Sequence, residues 1–188
     1  MKIIECPRDA MQGIDTLIST PDKVRYINQL LKVGFDTIDF GSFVSPKVIP
    51  QMRDTADVLR LLDIQDSETR LLAIVANTRG AMEAALFDSI TYLGFPLSIS
   101  ETFQQRNTNM SITQALNTLE GIKILCVKED KKLVTYISMG FGNPYGDPYD
   151  IDLVGSFVDI LLNLGSDIIS IADTIGVADS KHIYDLFT

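Results

Sequence analysis

The chain has 188 residues, 46% of them apolar and 22% charged, which suits a single globular domain with a sizeable core. Sixteen basic residues against 25 acidic ones give a net charge of −9, which argues against nucleic acid or an anionic membrane as partner but leaves room for a local basic pocket. No apolar run approaches the roughly 18 residues of a membrane span, and Met1 leads directly into Lys2-Ile3-Ile4-Glu5, a strand and not a signal peptide, so a cytoplasmic location is the expectation.

In chain order, a first strand is predicted at Lys2–Glu5. Ser19-Thr20-Pro21-Asp22 then opens a helix, with a capping hydroxyl and proline in the first turn. Val24, Ile27 and Leu31 follow at helical spacing, and Gly34 ends it. Further strands are predicted near Thr37–Phe40, Leu71–Val75, somewhere within Ile90–Ile99, Leu133–Ser138 and Ile168–Ile171. The pattern of Ile90–Ile99 also fits the end of a helix. Glu129-Asp130-Lys131-Lys132 reads as a solvated turn. Leu153, Val154, Phe157, Leu161 and Leu164 stripe a later helix that stops at Gly165, and Ser180–Phe187 is a last helix.

The helix–glycine–strand repeat indicates parallel βαβ units. Six such units in one domain over residues 1–188 suit an incomplete (β/α)8 barrel, since a whole one takes about 250 residues. A doubly wound open sheet also fits this length, although no glycine-rich phosphate loop follows the first strand. Cys6 and Cys126 have no CxxC spacing and are expected to be buried, reduced thiols. His182, the only histidine, reads as a surface helix residue.

A barrel's active site lies at the C-terminal ends of its strands. There the sequence places Pro7-Arg8-Asp9, Asp39 with Ser42, Asn77, Ser100-Glu101 with Arg106-Asn107, Tyr136 with Ser138, and Ser170 with Asp173-Thr174. Acids, hydroxyls and two arginines on one rim suit polar chemistry, but the same residue types are the usual helix caps and turn formers.

Several segments carry a more specific signal. Glu5-Cys6-Pro7-Arg8-Asp9-Ala10-Met11-Gln12 resembles the E-x-G-P-R-D-G-L-Q opening of the 3-hydroxy-3-methylglutaryl-CoA lyase family. Ser42-Phe43-Val44-Ser45-Pro46-Lys47, continued by Pro50-Gln51-Met52, is similar to its S-F-V-S-P-K segment. Arg106-Asn107-Thr108-Asn109-Met110-Ser111-Ile112 resembles its (K/R)-N-x-N-x-S-I, and Gly142-Asn143-Pro144-Tyr145 its G-C-P-Y. Asp173-Thr174-Ile175-Gly176-Val177 is similar to its D-T-I-G-V.

The resemblance implies a metal-dependent carbon–carbon lyase: retro-Claisen cleavage of a 3-hydroxyacyl-CoA to acetyl-CoA and a keto acid such as acetoacetate. It implies a divalent cation, Mg2+ or Mn2+, an acyl-CoA substrate and a homodimer. It assigns Asp9 to the metal and Arg8 to the thioester oxygen, with Asp39 and Asp173 as catalytic carboxylates. Gln12, Ser42, Asn107, Tyr136, Ser138, Ser170 and Thr174 would lie against the substrate.

There are departures. Asp39 stands where the family has a glutamate, and Cys6, Ala10 and Met11 replace Gly, Gly and Leu. Asn143 replaces a cysteine. The family's H-x-H metal pair and an asparagine ligand belong on a seventh and eighth strand, so the resemblance implies a partial barrel with one ligand of the set and no lyase activity from these residues alone. Two alternatives stand beside the lyase: an aldolase or Claisen-type acyltransferase with another substrate, and a degenerate, non-catalytic barrel.

Overall fold

The computed structural model describes residues 1–188. Six strands form one sheet in chain order: β1 (Ile4–Glu5), β2 (Thr37–Ser42), β3 (Arg70–Ile74), β4 (Ile90–Ser98), β5 (Lys132–Ser138) and β6 (Ile168–Ile171). β1 pairs parallel with β2, β2 with β3, and β5 with β6. Helices precede or connect them: α1 (Pro7–Gln12), α2 (Thr20–Leu31), α3 (Thr55–Leu61), α4 (Thr78–Ala85), α5 (Glu101–Thr108), α6 (Ile112–Lys128), α7 (Ile151–Leu164) and α8 (Ser180–Phe187). No strand order is reversed, so the open-sheet alternative, which needs a switch point, is excluded. No helix is long and apolar enough to cross a membrane. By its internal contacts the chain divides into two compact units, Met1–Leu93 and Gly94–Thr188, which part within β4.

In the first unit, Ile27, Ile38, Phe40, Leu71, Leu72, Ile90 and Leu93 are fully buried. α2 begins as predicted, with the Ser19 side chain accepting from the Asp22 N–H. Its buried stripe differs by one residue: Lys23, Ile27 and Leu31 face inward, and Val24 is only half-buried. Lys23 can be buried because its ammonium meets Asp54 and the Gln51 carbonyl. The pairing of β2 with β3 shifts between Asp39 and Gly41, leaving Phe40 as a bulge. Bulges kink a strand and re-aim its side chains, and this one lies next to Asp39.

In the second unit, α7 buries Val154, Phe157 and Leu161 and ends at Gly165 with φ of 93°. Segment 90–98 is strand throughout, so its helix-end reading is corrected; nearly every one of its side chains is buried, which hides the alternation of a half-exposed strand. The (K/R)-N-x-N-x-S-I segment is a helix junction. Asn109 closes α5 in the left-handed region, and Ser111 with Gln114 forms a capping box that opens α6. The turn at 129–132 is solvated except at Lys131, which is buried, a second correction. A third concerns the thiols: Cys126 is buried, but Cys6 is exposed, because β1 stops at Glu5 and the chain turns out into α1.

Candidate active site

Arg8 is the hub of the first unit. Pro7 starts α1, and one turn of helix presents Arg8 beside the end of β2. The Arg8 Nε donates to both Asp39 oxygens at 3.2 and 3.1 Å, and Nη2 donates to Oδ2 at 2.6 Å. Nη1 donates to Asp9 Oδ1 at 3.0 Å and to Gln12 Oε1 at 2.9 Å. Asp39 is 1% exposed, the Arg8 side chain 12% and Asp9 72%. Burial pushes the Asp39 carboxyl above the usual range; the hydrogen bonds and charge of Arg8 pull the other way, and the Asp9 charge adds to the rise. Although Cys6 is exposed as a residue, partial desolvation of its thiol first and the Asp39 charge second push it up to about 11, so it is not a ready nucleophile. Ala10 lies within α1 and needs no positive φ, so its replacement of a family glycine carries no strain.

Ser42 is buried at the end of β2, its N–H donating to Thr55 Oγ1 at 3.1 Å and its hydroxyl accepting from the Val44 N–H. Gly41 is required here, since a Cβ would lie 2.5 Å from Thr55 Cγ2.

In the second unit, Tyr136 and Ser170 are register partners on β5 and β6, both half-buried. The Ser138 carbonyl accepts from Ser98 and from the Ile99 N–H, fixing the end of β5 against β4. Asn107 is exposed in the last turn of α5, where the adjacent Arg106 lies 4.9 Å over the Tyr145 ring. The Thr174 hydroxyl accepts from the Met139 N–H at 2.8 Å, which makes it a tie between two loops. Asp173 accepts from the Val177 and Ala178 N–H groups at 2.9 Å each, and these bonds, that from Ala178 foremost, hold its carboxyl below the usual range.

Apart from Ser42, at the end of β2, and Asn107, exposed on α5, the predicted residues fall into two groups. Arg8, Asp9, Gln12 and Asp39 form one hydrogen-bonded cluster. Tyr136, Ser138, Ser170, Asp173 and Thr174 lie on β5, β6 and the turn after β6. Sequence reading missed Gln51 with the Lys23–Asp54 pair, and Asp147, which accepts from Ser100 and Thr102 at 2.5 and 2.9 Å and so ties the loop after β5 to the start of α5. No group of three or more His, Cys, Asp or Glu side chains is placed to hold a metal ion. Mg2+ needs about six donors. Asp9 offers one carboxylate, already in contact with Arg8, so these residues alone do not fit the ion.

The family model described as HMGL-like matches residues 2–188. The chain belongs to the HMGL-like family. The hydroxymethylglutaryl-CoA lyase YngG of Bacillus subtilis is 35% identical over 94% of this chain, which covers 58% of that protein. A crystal structure of the Bacillus subtilis HMG-CoA lyase superposes with a TM-score of 0.92 at 33% identity, over 98% of this HMGL-like chain and 62% of the other. An HMG-CoA lyase from Acinetobacter baumannii in complex with coenzyme A and 3-methylmalate gives 0.91 at 30% identity, over 98% and 60%. This chain therefore has an α/β fold of (β/α)8-barrel type with six βα units, and spans somewhat over half the length of its curated relatives.

Proposed function

We propose that this HMGL-like chain carries the Arg8 side of an active site that cleaves 3-hydroxy-3-methylglutaryl-CoA to acetyl-CoA and acetoacetate. The observation that carries the reading is the buried, bidentate Arg8–Asp39 pair at the strand ends of a chain matched to this family over residues 2–188. In the reaction the C3 hydroxyl loses its proton, the C2–C3 bond breaks, and its electron pair moves onto the thioester as an enolate. C3 becomes the ketone of acetoacetate, and protonation at C2 gives acetyl-CoA.

The chain's own residues divide this work. A fixed guanidinium beside the thioester oxygen stabilises the charge that builds there, and it needs no reorganisation because Asp39, Asp9 and Gln12 hold it beforehand. Asp39 is too buried to reach substrate, so it acts through Arg8 as a positioning residue. Asp173, exposed and kept ionised by backbone donors, is a proton acceptor and not a donor. Tyr136, Ser138, Ser170 and Asn107 supply polar contacts to the substrate. The family resemblance assigns Asp9 to a divalent cation, Mg2+ or Mn2+, but Asp9 with its Arg8 contact does not by itself hold the ion. A cytoplasmic homodimer belongs to the same reading.

A second reading has one observation in its favour. Asp39 is one methylene shorter than the family's glutamate, and Arg8 closes down on it. A shorter partner for the guanidinium suits an acyl-CoA with a different 3-substituent. The test is acetyl-CoA release from a panel of 3-hydroxy-3-alkylglutaryl-CoA thioesters by residues 1–188 joined to an H-x-H strand unit that supplies the remaining metal ligands. The lyase reading expects turnover with at least one, the methyl compound first. Release from none would leave the degenerate barrel.

A further inference from the structure

Arg8 sits on a helix that cannot hold itself in place. α1 has six residues, and its N-cap, Cys6, makes no side-chain cap. Isolated helices much shorter than about 12 residues are unstable in water. The position of α1 must therefore come from what grips its ends.

At the C-terminal end the grip comes from a motif residue with no part in the chemistry above. Gln51, 2% exposed, reaches from the 3-10 turn Pro50–Met52 to the segment leaving α1. Its Nε2 donates to the Ile14 and Thr16 carbonyls at 3.1 Å each, and its Oε1 accepts from the Ile18 N–H at 2.9 Å. One side chain thus satisfies three backbone groups across five residues of an otherwise irregular loop. Ile14 is tied back to α1 through its N–H to the Met11 carbonyl, and Gln12, the last helical residue, holds Arg8 Nη1. The line from Gln51 to the guanidinium is continuous.

Gln51 is itself seated from below. The Lys23 ammonium, on a residue 3% exposed, donates to the Gln51 backbone carbonyl and to Asp54 Oδ1. Asp54 Oδ2 accepts from the Thr20 hydroxyl at 2.6 Å. A buried ion pair of this kind is a weak source of net stability but a strong constraint on geometry, because each partner left alone would be costly. That accounts for a lysine in a stripe otherwise filled by Ile27 and Leu31.

We propose that Gln51, seated by the Lys23–Asp54 pair, is a positioning residue for Arg8: it fixes the exit of α1 and through it the guanidinium. The activity arm of the test rests on the lyase reading; the exchange arm does not. Two variants separate the contributions. Gln51→Leu removes all three bonds, whereas Gln51→Glu keeps the acceptor for Ile18 and loses both donors. Ile90→Val, in the buried start of β4, serves as a control for general loss of stability.

Amide hydrogen exchange should quicken by about tenfold or more across residues 8–14 in both Gln51 variants, with β2 and β3 unchanged and no such local effect in Ile90→Val. Extended by an H-x-H strand unit that completes the metal site, the folded Gln51 variants should lose about 10- to 100-fold in kcat with KM within about threefold, the signature of a misplaced group and not of lost binding. If Gln51→Leu does not fold, Gln51→Glu and Asp54→Asn carry the same two measurements. Exchange at 8–14 no faster than in Ile90→Val overturns the proposal. So does faster exchange with kcat per folded molecule unchanged. If the wild-type sequence, so extended, shows no turnover on any thioester, the lyase reading fails, and the exchange result alone decides whether Gln51 fixes α1.

Discussion

Removing Arg8 should make the protein's stability depend strongly on pH. Asp39 is buried, and burial already raises its carboxyl; Arg8 opposes that rise through three contacts between 2.6 and 3.2 Å. In Arg8→Met the opposition is gone and the carboxyl rises further. A buried acid with a raised pKa keeps its proton in the folded state at pH values where the unfolded chain, with an aspartate near ~3.9, has lost it. Stability therefore falls as pH rises from the unfolded value through the folded one, by up to about 1.4 kcal/mol per pH unit, and levels off above it. An unpaired buried charge costs about 3–5 kcal/mol, so Arg8→Met should match wild type closely near pH 5 and fall behind by about 3 kcal/mol near pH 8. With a urea slope of about 1–3 kcal/mol per molar, the midpoint should drop by about 1 M or more across that range. Arg8→Met with Asp39→Leu should abolish the extra dependence. An Arg8→Met profile parallel to wild type from pH 5 to 8 would refute the reasoning, because Asp39 would then owe nothing to Arg8.

Three further outcomes are expected. Gly41→Ala places a Cβ against Thr55 and should cost about 1–3 kcal/mol in urea unfolding, while shifting the Ser42 N–H off Thr55 Oγ1. Burial raises the Asp54 carboxyl, but the hydrogen bonds of Lys23 and Thr20 and the Lys23 charge outweigh it and hold it low; its contribution is thus present above about pH 4 and lost as pH falls through the lowered value, and Asp54→Asn should flatten that acid limb. Calorimetric titration of residues 1–188 with Mg2+ should show affinity no tighter than about 1 mM, since Asp9 is one donor where about six are needed; micromolar binding would show a ligand set within these residues.

The strand order was legible because a helix–glycine–strand pattern recurs: Gly165 ends α7 at positive φ, whereas α2 stops at Leu31 with Lys32 as its cap and Gly34, also at positive φ, follows in the turn. Strand β4 was ambiguous because a strand buried on both faces loses its alternation. The pairing of Arg8 with Asp39 was not legible, since nothing in the spacing of residues 31 apart says that two side chains meet. The bulge at Phe40 leaves no local mark either. Nothing local marks Lys23 as buried, because its partners Gln51 and Asp54 come from another part of the chain. Asp173 read as a catalytic carboxylate and Thr174 as a substrate group; the hydrogen bonds that each makes within the protein, Thr174 to the Met139 N–H and Asp173 to the turn that follows it, were not legible.

The central claim is that the Arg8 guanidinium stabilises the departing enolate, and the rate of acetyl-CoA release by Arg8→Gln tests it most directly. Measured with 3-hydroxy-3-methylglutaryl-CoA and Mg2+ on folded protein extended by an H-x-H strand unit, kcat should fall by about 100- to 1,000-fold relative to the equally extended wild type, as for loss of one fixed oxyanion donor, with KM changed by only a few-fold. A variant within about tenfold of wild-type kcat would contradict the account and leave Arg8 as a structural partner of Asp39.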